Sequence, residues 1–465
     1  MFLKLLKQLK FLKKLNNKKM KKKYFGTDGI RAPSNSPKLN GLTMMRLGMA
    51  LGKVFTKGEH RHRVVIGKDT RLSGYTIEQA ITSGLLSMGL DVLLLGPIPT
   101  PGVAMLTKSM RADLGIMISA SHNSYLDNGI KIFDKNGDKL PDALEVEIEE
   151  LMDSSIEKHL VDPKKMGRAK RLEDANARYI EFQKNTFPKK LNLDGLKIVL
   201  DCANGAAYKA APIILWELGA EVITLGVEPN GVNINHECGS NHPEIMAKKV
   251  VEENADLGIG LDGDGDRIII CDEKGKVIDG DQILGLIAIH WHKYNQLSVD
   301  TVVATKMSNL GLENILDKHN IKLQRASVGD RYVKEMMLDE GANIGGEQSG
   351  HIILRDFIAT GDGMITALQV LRIIIEKKQP ASKTLNVFEP LPQRLINFNL
   401  KDTEFLKEDE TIKKINSWEN ILGDEGRILV RMSGTEPLLR VMIECKNSII
   451  LDKVISEVDS FFTKI

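Results

Sequence analysis

One pattern of apolar and mixed segments occurs three times along the chain. Each copy has a short apolar run, an amphipathic stretch and a second apolar run, which predict a strand, a helix and a strand. The pentapeptide Ala-Asp-Leu-Gly-Ile follows the first two copies, at 112–116 and 255–259, and the looser sequence 342–346 follows the third. We therefore predict an α/β protein with three similar domains and mixed, largely parallel sheets.

The last part of the chain has a different pattern, typical of a smaller α+β domain. The predicted strands of the repeats are 64–67, 91–95, 196–201, 221–225, 301–305 and 321–327, and the helices are 76–88, 207–218 and 309–318. The final domain has predicted strands 426–431 and 438–444 and a helix 448–464, and residues 142–190 are predicted to be mostly charged helix. The predicted units are a basic extension 1–23 and four domains at 24–172, 173–274, 275–386 and 387–465.

The amino-acid composition argues against several classes of function. Of the 465 residues, 42% are hydrophobic and 27% are charged, which is ordinary for a globular protein, and no stretch of 18 apolar residues predicts a transmembrane segment. The net charge is +2, but ten lysines lie in residues 1–23, so the rest of the chain carries −8. That balance argues against a nucleic-acid partner. The four cysteines form no C-x-x-C pair, which favours a reducing, cytoplasmic location.

Residues 1–23 alternate leucines with lysines and contain no acidic residue. Two interpretations stay open, an amphipathic helix on an anionic membrane surface and a dispensable extension with Met20 as the functional start. We favour the extension. A secretory signal does not fit, because lysines interrupt every apolar run and no small-residue cleavage site follows.

The repeat also predicts where the chemistry lies. Ser121, Asp264 and His351 each stand nine residues after the first alanine of a copy, within unusually polar loops. In open α/β sheets, ligands bind beyond the carboxyl ends of the strands. If the three loops converge, they form one deep site.

Asp262, Asp264 and Asp266 alternate with two glycines in the second loop. Three carboxylates this close repel one another unless a cation lies among them, and an extended strand would hold them too far apart for one small ion. The glycines permit a curled loop. We predict a divalent ion there, Mg²⁺ first, with a solvated acidic turn as the alternative.

Two further loops carry candidate chemistry. Ser119 and Ser121 are both candidates for a nucleophile or a phosphoryl carrier, and an ordinary capped loop is the alternative. Near the C-terminus, Arg431-Met-Ser433-Gly434-Thr435-Glu-Pro with Arg440 nearby would suit a phosphate, and a turn with surface arginines is the alternative.

Together these motifs resemble the α-D-phosphohexomutase superfamily. The motifs that carry the resemblance are 25–31 (FGTDGIR), 118–123 (ISASHN), 127–131 (DNGIK), 262–267 (DGDGDR), 345–351 (GGEQSGH) and 433–437 (SGTEP). The opening motif and Gln348 favour the bacterial branch that acts on glucosamine phosphate over the mannose/glucose branch. The resemblance implies four domains around a central cleft.

The resemblance also implies a role for each matched residue. Ser121 would carry the phosphoryl group, and Asp262, Asp264 and Asp266 would hold Mg²⁺ together with the Ser121 phosphate. The other implied catalytic residues are Lys131, Arg267, Arg31 and His351. The implied substrate-binding residues are Glu347 and Ser349 for the sugar, and Arg431, Ser433, Gly434, Thr435 and Arg440 for the non-reacting phosphate. Ser124, Ala32 and Met432 depart from the family pattern without removing a charged or nucleophilic group.

The implied activity is an isomerase that interconverts glucosamine 6-phosphate and glucosamine 1-phosphate through a phosphoserine enzyme and a 1,6-bisphosphate. The implied partners are the small amino-sugar phosphate, glucosamine or glucose 1,6-bisphosphate as an activator, an activating kinase or autophosphorylation, and a second copy in a homodimer. Two alternatives stay open, a phosphomannomutase/phosphoglucomutase of the same superfamily and a catalytically silent sugar-phosphate sensor.

Overall fold

Four sheets follow one another along the chain. The computed structural model describes residues 22–26, 28–399, 404–432 and 438–463. No helix within these ranges is both long and apolar enough to cross a bilayer.

The first sheet combines parallel and antiparallel pairs. Its strands are β1 (Ile30–Pro33), β2 (Arg63–Lys68), β3 (Asp91–Pro97), β4 (Leu114–Ile118), β5 (Asp127–Asp134) and β6 (Ala169–Arg171), with helices α1 (Gly41–Phe55), α2 (Gly74–Ser87), α3 (Thr100–Ser109) and α4 (Asp142–Asp153). The order is β1-β5-β4-β2-β3-β6. β2 pairs in parallel with β3 and β4, whereas β5 is antiparallel to both β4 and β1. Every residue of β4 is buried, as expected for a central strand covered on both faces.

The second and third sheets repeat this plan. The second contains β7 (Lys197–Asp201), β8 (Glu221–Leu225), β9 (Leu257–Leu261), β10 (Ile268–Asp272) and β11 (Val277–Ile278), with helices α5 (Ala175–Lys184), α6 (Ala210–Glu217) and α7 (Pro243–Glu252). The third contains β12 (Thr301–Thr305), β13 (Lys322–Ala326), β14 (Ile344–Gly346) and β15 (Ile352–Leu354), with helices α8 (Gly280–Lys293), α9 (Leu310–Lys318), α10 (Asp330–Glu340), α11 (Gly363–Lys377) and α12 (Ala381–Thr384). Their orders are β11-β10-β9-β7-β8 and β13-β12-β14-β15.

In all three sheets a buried strand with a parallel neighbour is followed by an antiparallel partner. These hairpins are β4–β5, β9–β10 and β14–β15. Each hairpin loop starts at the carboxyl end of the strand that carries the repeated pentapeptide or its relative. The three similar α/β domains predicted from the repeat are therefore confirmed, and the hairpins account for the mixed character of the sheets.

The fourth sheet is entirely antiparallel, in the order β16-β18-β17. Its elements are β16 (Gln393–Phe398), α13 (Asp409–Leu422), β17 (Gly426–Met432), β18 (Leu439–Cys445) and α14 (Ser448–Phe462). Trp418 of α13 and Phe462 of α14 are buried in its own apolar cluster. A separate continuous cluster runs through the first three domains, from Val65 to Leu385, so those domains pack as one body around shared hydrophobic contacts.

One predicted stretch was wrong, and two elements of the last domain were missed. The stretch 142–190 is not mostly helix, because α4 ends at Asp153 and α5 begins only at Ala175. Between them the chain forms short 3₁₀ turns and then β6, which completes the first sheet beside β3. In the last domain, β16 and α13 were not predicted.

Candidate active site

The three polar hairpin loops meet in one place. Ser121, in the loop after β4, donates its hydroxyl hydrogen to Asp262 Oδ2 in the loop after β9, over 2.6 Å. His351, which ends the loop after β14, has its Nδ1 3.5 Å from Asp266 Oδ1. The repeat left the convergence of the three loops as a condition; in the structure they converge, and residues from three domains face one another there.

Ser121 lies in a strained and well-supported turn. Its φ of +52° is in the left-handed region, which non-glycine residues seldom adopt. Its carbonyl oxygen accepts hydrogen bonds from Arg71 Nη2 at 2.9 Å and from Asn235 Nδ2 at 2.8 Å. One of these donors belongs to the first domain and the other to the second, so both domains hold the turn that directs the Ser121 hydroxyl at Asp262.

The structure separates the two candidate serines. Ser119 donates its hydroxyl hydrogen to Asp69 Oδ2 at 2.6 Å and accepts the backbone N–H of Ser121 at 2.9 Å. Asp69 is in turn paired with Arg71 Nε at 2.8 Å. Ser119 therefore supports the turn, and Ser121 is the serine whose hydroxyl faces the carboxylates.

The loop of Asp262, Asp264 and Asp266 curls as its glycines predict. Gly265 has a φ of +68°, and a Cβ on Gly263 would lie 2.7 Å from the backbone oxygen of Ser121. All three aspartates are buried, and one oxygen from each lies within 4.8 Å of the others. Oxygen ligands about 2.1 Å from one ion lie about 3–4 Å apart, so a small closure would complete a site for a divalent ion.

The unpaired oxygens of this loop are suited to a cation. Among the residues that the structure describes, Asp264 Oδ1 is buried without a hydrogen-bond partner, and Asp266 Oδ1 has only the long 3.5 Å contact with His351 Nδ1. Burial and the neighbouring carboxylates of Asp264 and Asp266 raise the pKa of Asp262 well above its usual range. A bound cation would relieve that repulsion, so the donor set fits a hard divalent metal.

Lys131 neutralises the opposite side of the carboxylates. Its Nζ lies 2.8 Å from Asp264 Oδ2 and 2.8 Å from Asp266 Oδ2. Burial alone would lower the pKa of Lys131, but the two carboxylates hold it well above its usual value. Thr100 also donates to Asp264 Oδ2, at 2.5 Å. The ammonium stays charged at neutral pH in this environment.

Two arginines add positive charge beside the serine. Arg31 pairs with Asp28 at 3.2 Å, and Arg267 Nε lies 4.0 Å from Asp266 Oδ1. Burial opposes the charge of Arg267, but Asp266 and Asp262 raise its pKa. These side chains line an open cleft of about 530 Å³. Other lining residues are Ser121, Lys131, Asp266, Glu347 and His351.

The third-domain loop supplies further polar groups to the cleft. Ser349 donates its hydroxyl hydrogen to Glu347 Oε2 at 3.4 Å, and Glu347 Oε1 accepts the backbone N–H of Gly329 at 3.0 Å. His351 Nε2 accepts the backbone N–H of Gly361 at 3.2 Å, which leaves Nδ1 to carry a hydrogen toward Asp266. Glu347 is thus held at the cleft wall as a hydrogen-bond acceptor.

The predicted phosphate-binding residues are only partly described. Arg431 and Arg440 stand directly opposite each other on β17 and β18. Burial lowers the pKa of Arg431, and the like charge of the neighbouring Arg440 lowers it further. Among the described residues, neither belongs to the cleft lining. Ser433, Gly434 and Thr435 lie outside the described residues.

Family models match nearly the whole chain, one for each domain. Models of phosphoglucomutase/phosphomannomutase alpha/beta/alpha domains I, II and III match residues 22–159, 177–275 and 279–391, and the model of the C-terminal domain matches 395–460. The chain belongs to the phosphoglucomutase/phosphomannomutase family.

Named relatives are similar over nearly their full length. The phosphoglucosamine mutase of Parvibaculum lavamentivorans is 57% identical over 439 residues, which cover 94% of this chain and 98% of the relative. The phosphoglucosamine mutase of Caulobacter vibrioides is 56% identical over 441 residues, with 95% and 98% covered.

Solved structures share the fold at lower identity. A phosphoglucomutase/phosphomannomutase family protein from Burkholderia thailandensis superimposes with a TM-score of 0.78 at 23% identity, covering 94% of this chain and 96% of its own. The Aspergillus fumigatus N-acetylphosphoglucosamine mutase, solved with GlcNAc-6P and magnesium, gives 0.65 at 17% identity, with 95% of each chain covered.

Sequence reasoning missed several residues that build the site of this phosphoglucomutase/phosphomannomutase family member. Asp69, Arg71, Thr100 and Asn235 lie in none of the motifs, whereas Asp28 and His122 lie in the motifs 25–31 and 118–123 but were given no role. Asp69 and Thr100 follow β2 and β3 at the same carboxyl edge as the serine loop, so the strand-end rule could have found them. His122 Nδ1 lies 3.3 Å from Ser121 Oγ, and burial together with Arg267 and Arg31 lowers its pKa to about 4. It is therefore a neutral neighbour of the serine near pH 7.

Proposed function

We propose that this protein interconverts glucosamine 6-phosphate and glucosamine 1-phosphate. One observation carries the proposal: the Ser121 hydroxyl lies 2.6 Å from a buried carboxylate of an aspartate triad suited to a divalent cation. The relatives at 57% and 56% identity that are named phosphoglucosamine mutase support the choice of sugar. The reaction is an isomerisation in which a phosphoryl group passes through the enzyme.

In the proposed cycle, Ser121 starts as a phosphoserine. Its phosphoryl group passes to the 1-hydroxyl of glucosamine 6-phosphate: the bond to Ser121 Oγ breaks, a bond to the sugar oxygen forms, and the proton of the sugar hydroxyl ends on Ser121 Oγ. The resulting glucosamine 1,6-bisphosphate turns around, and its 6-phosphoryl group returns to Ser121. Glucosamine 1-phosphate leaves, and the phosphoserine is restored. The product would feed the synthesis of UDP-N-acetylglucosamine.

Asp262, Asp264 and Asp266 would hold one Mg²⁺, with the phosphate on Ser121 as a further ligand. When bound, the ion neutralises negative charge on the transferring group. Lys131 and Arg267 face the same region, and Arg31 lines the cleft next to them. We propose that these three cations orient and stabilise the phosphoryl oxygens during transfer.

The sugar and its second phosphate would bind on the other domains. Glu347 accepts hydrogen bonds from sugar hydroxyls in this proposal, with Ser349 beside it and His351 at the base of the loop. The clamp for the non-reacting phosphate would consist of Arg431, Ser433, Gly434, Thr435 and Arg440. A clamp on a different domain from Ser121 can hold either phosphate in turn, which suits an intermediate that must reverse its orientation.

A coupled assay with serine-phosphorylated protein tests the reaction. We expect formation of glucosamine 1-phosphate from glucosamine 6-phosphate, with a higher kcat/KM than for mannose or glucose phosphates. A mannose preference above about tenfold, or 1.4 kcal/mol in transition-state stabilisation, would favour the phosphomannomutase alternative. Binding without any turnover after confirmed phosphorylation would favour a sugar-phosphate sensor.

The source of the first phosphoryl group is a separate question. The three routes are an activating kinase, transfer from glucosamine or glucose 1,6-bisphosphate, and autophosphorylation. Intact mass and phosphopeptide mapping of protein purified with and without each donor distinguish them. We also propose that the enzyme acts in the cytoplasm as a homodimer, which fractionation and light scattering would test.

Deleting residues 1–19 should leave turnover nearly unchanged, because every matched motif begins after Met20. A longer deletion, of residues 1–23, provides the matched comparison. It removes the backbone N–H of Lys23, which donates to Glu149 at 2.8 Å, and should lower the Tm. Loss of folded, active protein on the shorter deletion would contradict the prediction.

We expect the contacts of Lys139 to stabilise the packing of the first domain against the third beside the cleft. Its Nζ contacts both Asp28 and Asp330, and Asp28 in turn pairs with Arg31 at 3.2 Å. Lys139→Met leaves two largely buried carboxylates without their shared cation, so we expect a loss of about 2 kcal/mol in unfolding free energy. We also expect roughly tenfold lower kcat/KM, because Asp28, the partner of Arg31, loses the cation that orients it. Urea unfolding and the coupled assay measure the two effects.

Lys334→Met is the matched control for this interdomain contact. Lys334 crosses the same boundary to Asp138, but 43% of the Asp138 side chain is exposed. Exposed pairs contribute about 0–1 kcal/mol, so this change should be mild. Equal losses of unfolding free energy and of kcat/KM in Lys334→Met and Lys139→Met would show that Lys139 contributes no more than an exposed interdomain contact.

A further inference from the structure

Two histidines and an aspartate lie together at the end of the first sheet where β2 and β4 begin, which is the end remote from Ser121. His60 and His62 immediately precede β2, and Asp113 immediately precedes β4. Because β2 and β4 are parallel neighbours, all three residues lie at their amino ends. The serine loop follows the carboxyl end of β4, about 17 Å away for a five-residue strand. This cluster is therefore separate from the cleft and from the proposed function.

The ligand atoms of the three side chains point at one another. His60 Nε2 lies 2.7 Å from Asp113 Oδ1, and His62 Nδ1 lies 3.5 Å from the same oxygen. All three atoms lie within 4.8 Å of each other. The second oxygen of Asp113 accepts the backbone N–H of Arg63 at 2.9 Å, which fixes the carboxylate with Oδ1 toward both imidazoles.

One of the three candidate ligand atoms, His62 Nδ1, makes no good hydrogen bond within the described part of the protein. His62 is only 7% exposed, and its Nδ1 is buried without a hydrogen-bond partner among the described residues. The contact of His60 with Asp113 is a normal hydrogen bond of 2.7 Å, whereas the 3.5 Å approach of His62 Nδ1 to the same oxygen is at the limit of one. A buried polar atom without a partner costs free energy, so a group that binds His62 Nδ1 would remove a penalty.

We propose that His60, His62 and Asp113 bind a transition-metal ion of the Zn²⁺ class. Two imidazole nitrogens and a carboxylate form a typical three-residue set for zinc, and a water can fill the fourth position because the His60 side chain is 59% exposed. Ligands at about 2.0–2.1 Å in a tetrahedron lie about 3.3 Å apart, and the two distances to Asp113 Oδ1, 2.7 and 3.5 Å, lie on either side of that value. The metal would join the segment before β2 to the start of β4 as a structural link.

Metal titration of the full, untagged chain tests the site. The protein is stripped with a chelator, supplied with saturating Mg²⁺ to fill the aspartate triad, and titrated with Co²⁺ as a spectroscopic probe for Zn²⁺. We expect one Co²⁺ per chain with the intense visible absorption of tetrahedral coordination. His60→Gln and His62→Gln should each weaken Co²⁺ binding at least about tenfold, whereas Asp264→Asn should leave it unchanged.

Thermal unfolding supplies a second measurement that does not depend on catalysis. Zn²⁺ should raise the Tm of the wild-type chain by several degrees and should not raise that of His60→Gln. Because His60 is exposed, His60→Gln should fold normally even if His62→Gln does not. Equal Co²⁺ affinity in wild type and His60→Gln, or only the weak absorption of octahedral Co²⁺ in wild type, would overturn the proposal.

Discussion

Ser121→Ala should lose at least about 10³-fold in kcat, the scale of loss on removing a covalent nucleophile. The hydroxyl that faces Asp262 at 2.6 Å is the atom proposed to carry the phosphoryl group. Alanine keeps the Cβ and therefore the same backbone strain at a φ of +52°, so the change isolates the loss of the hydroxyl. A single-turnover experiment with glucose 1,6-bisphosphate should show no phosphoryl transfer to this variant. Phosphopeptide mapping should find no phosphate at position 121.

Ser119→Ala is the matched control for that experiment. It removes a buried hydroxyl of the same loop, whose hydrogen bonds run to Asp69 and to the backbone of Ser121. We expect a loss of about 1–3 kcal/mol in unfolding free energy and a much smaller loss in kcat. An inactive Ser119→Ala beside a fully active Ser121→Ala would reverse the assignment of the phosphorylated serine.

Asp264→Asn should lower kcat about a hundredfold or more at saturating Mg²⁺, because about 1.4 kcal/mol of barrier is tenfold in rate and a metal supplies several kcal/mol. The change keeps the size of the side chain but removes one negative charge from a triad whose other members are Asp262 and Asp266. It also weakens the pairing with Lys131, now 2.8 Å away. Steady-state kinetics across a range of Mg²⁺ concentrations measures the effect.

Asp201→Asn separates a metal defect from a folding defect. Asp201 is a buried aspartate of the same domain, and its carboxylate accepts backbone N–H groups of Ala203 and Gly239 rather than cleft residues. We expect this variant to lose stability but to keep its kcat and its Mg²⁺ dependence. A kcat for Asp264→Asn within about threefold of the wild-type value would refute a metal role for the triad.

Local sequence was sufficient for much of the fold and for the outline of the site. Apolar runs and amphipathic stretches repeat over a few residues, so the strand–helix–strand order of each copy could be predicted from the sequence. Most predicted bounds agree with the structure within a few residues. The three aspartates lie within five residues, and their mutual repulsion alone indicates a cation. The nine-residue offset after each alanine located all three hairpin loops.

Contacts between distant residues decided the rest. Ser119 and Ser121 are equivalent as chemical groups. The repeat offset and the family resemblance point to Ser121, but only the contacts with Asp69, 50 residues earlier, and Asp262, 141 residues later, show what each hydroxyl faces. Local hydropathy likewise could not indicate that β6 joins β3, because a three-residue exposed strand has almost no apolar pattern.

The sequence by itself thus determined the repeated α/β domains, the carboxylate triad and the family, because each depends on residues that are close together along the chain. Tertiary structure alone decided that the Ser119 hydroxyl contacts Asp69, that Lys131 pairs with Asp264, and that Lys139 joins Asp28 to Asp330. The physical reason is that these contacts depend on how hairpins and domains pack, which fixes distances between side chains 50 or more residues apart.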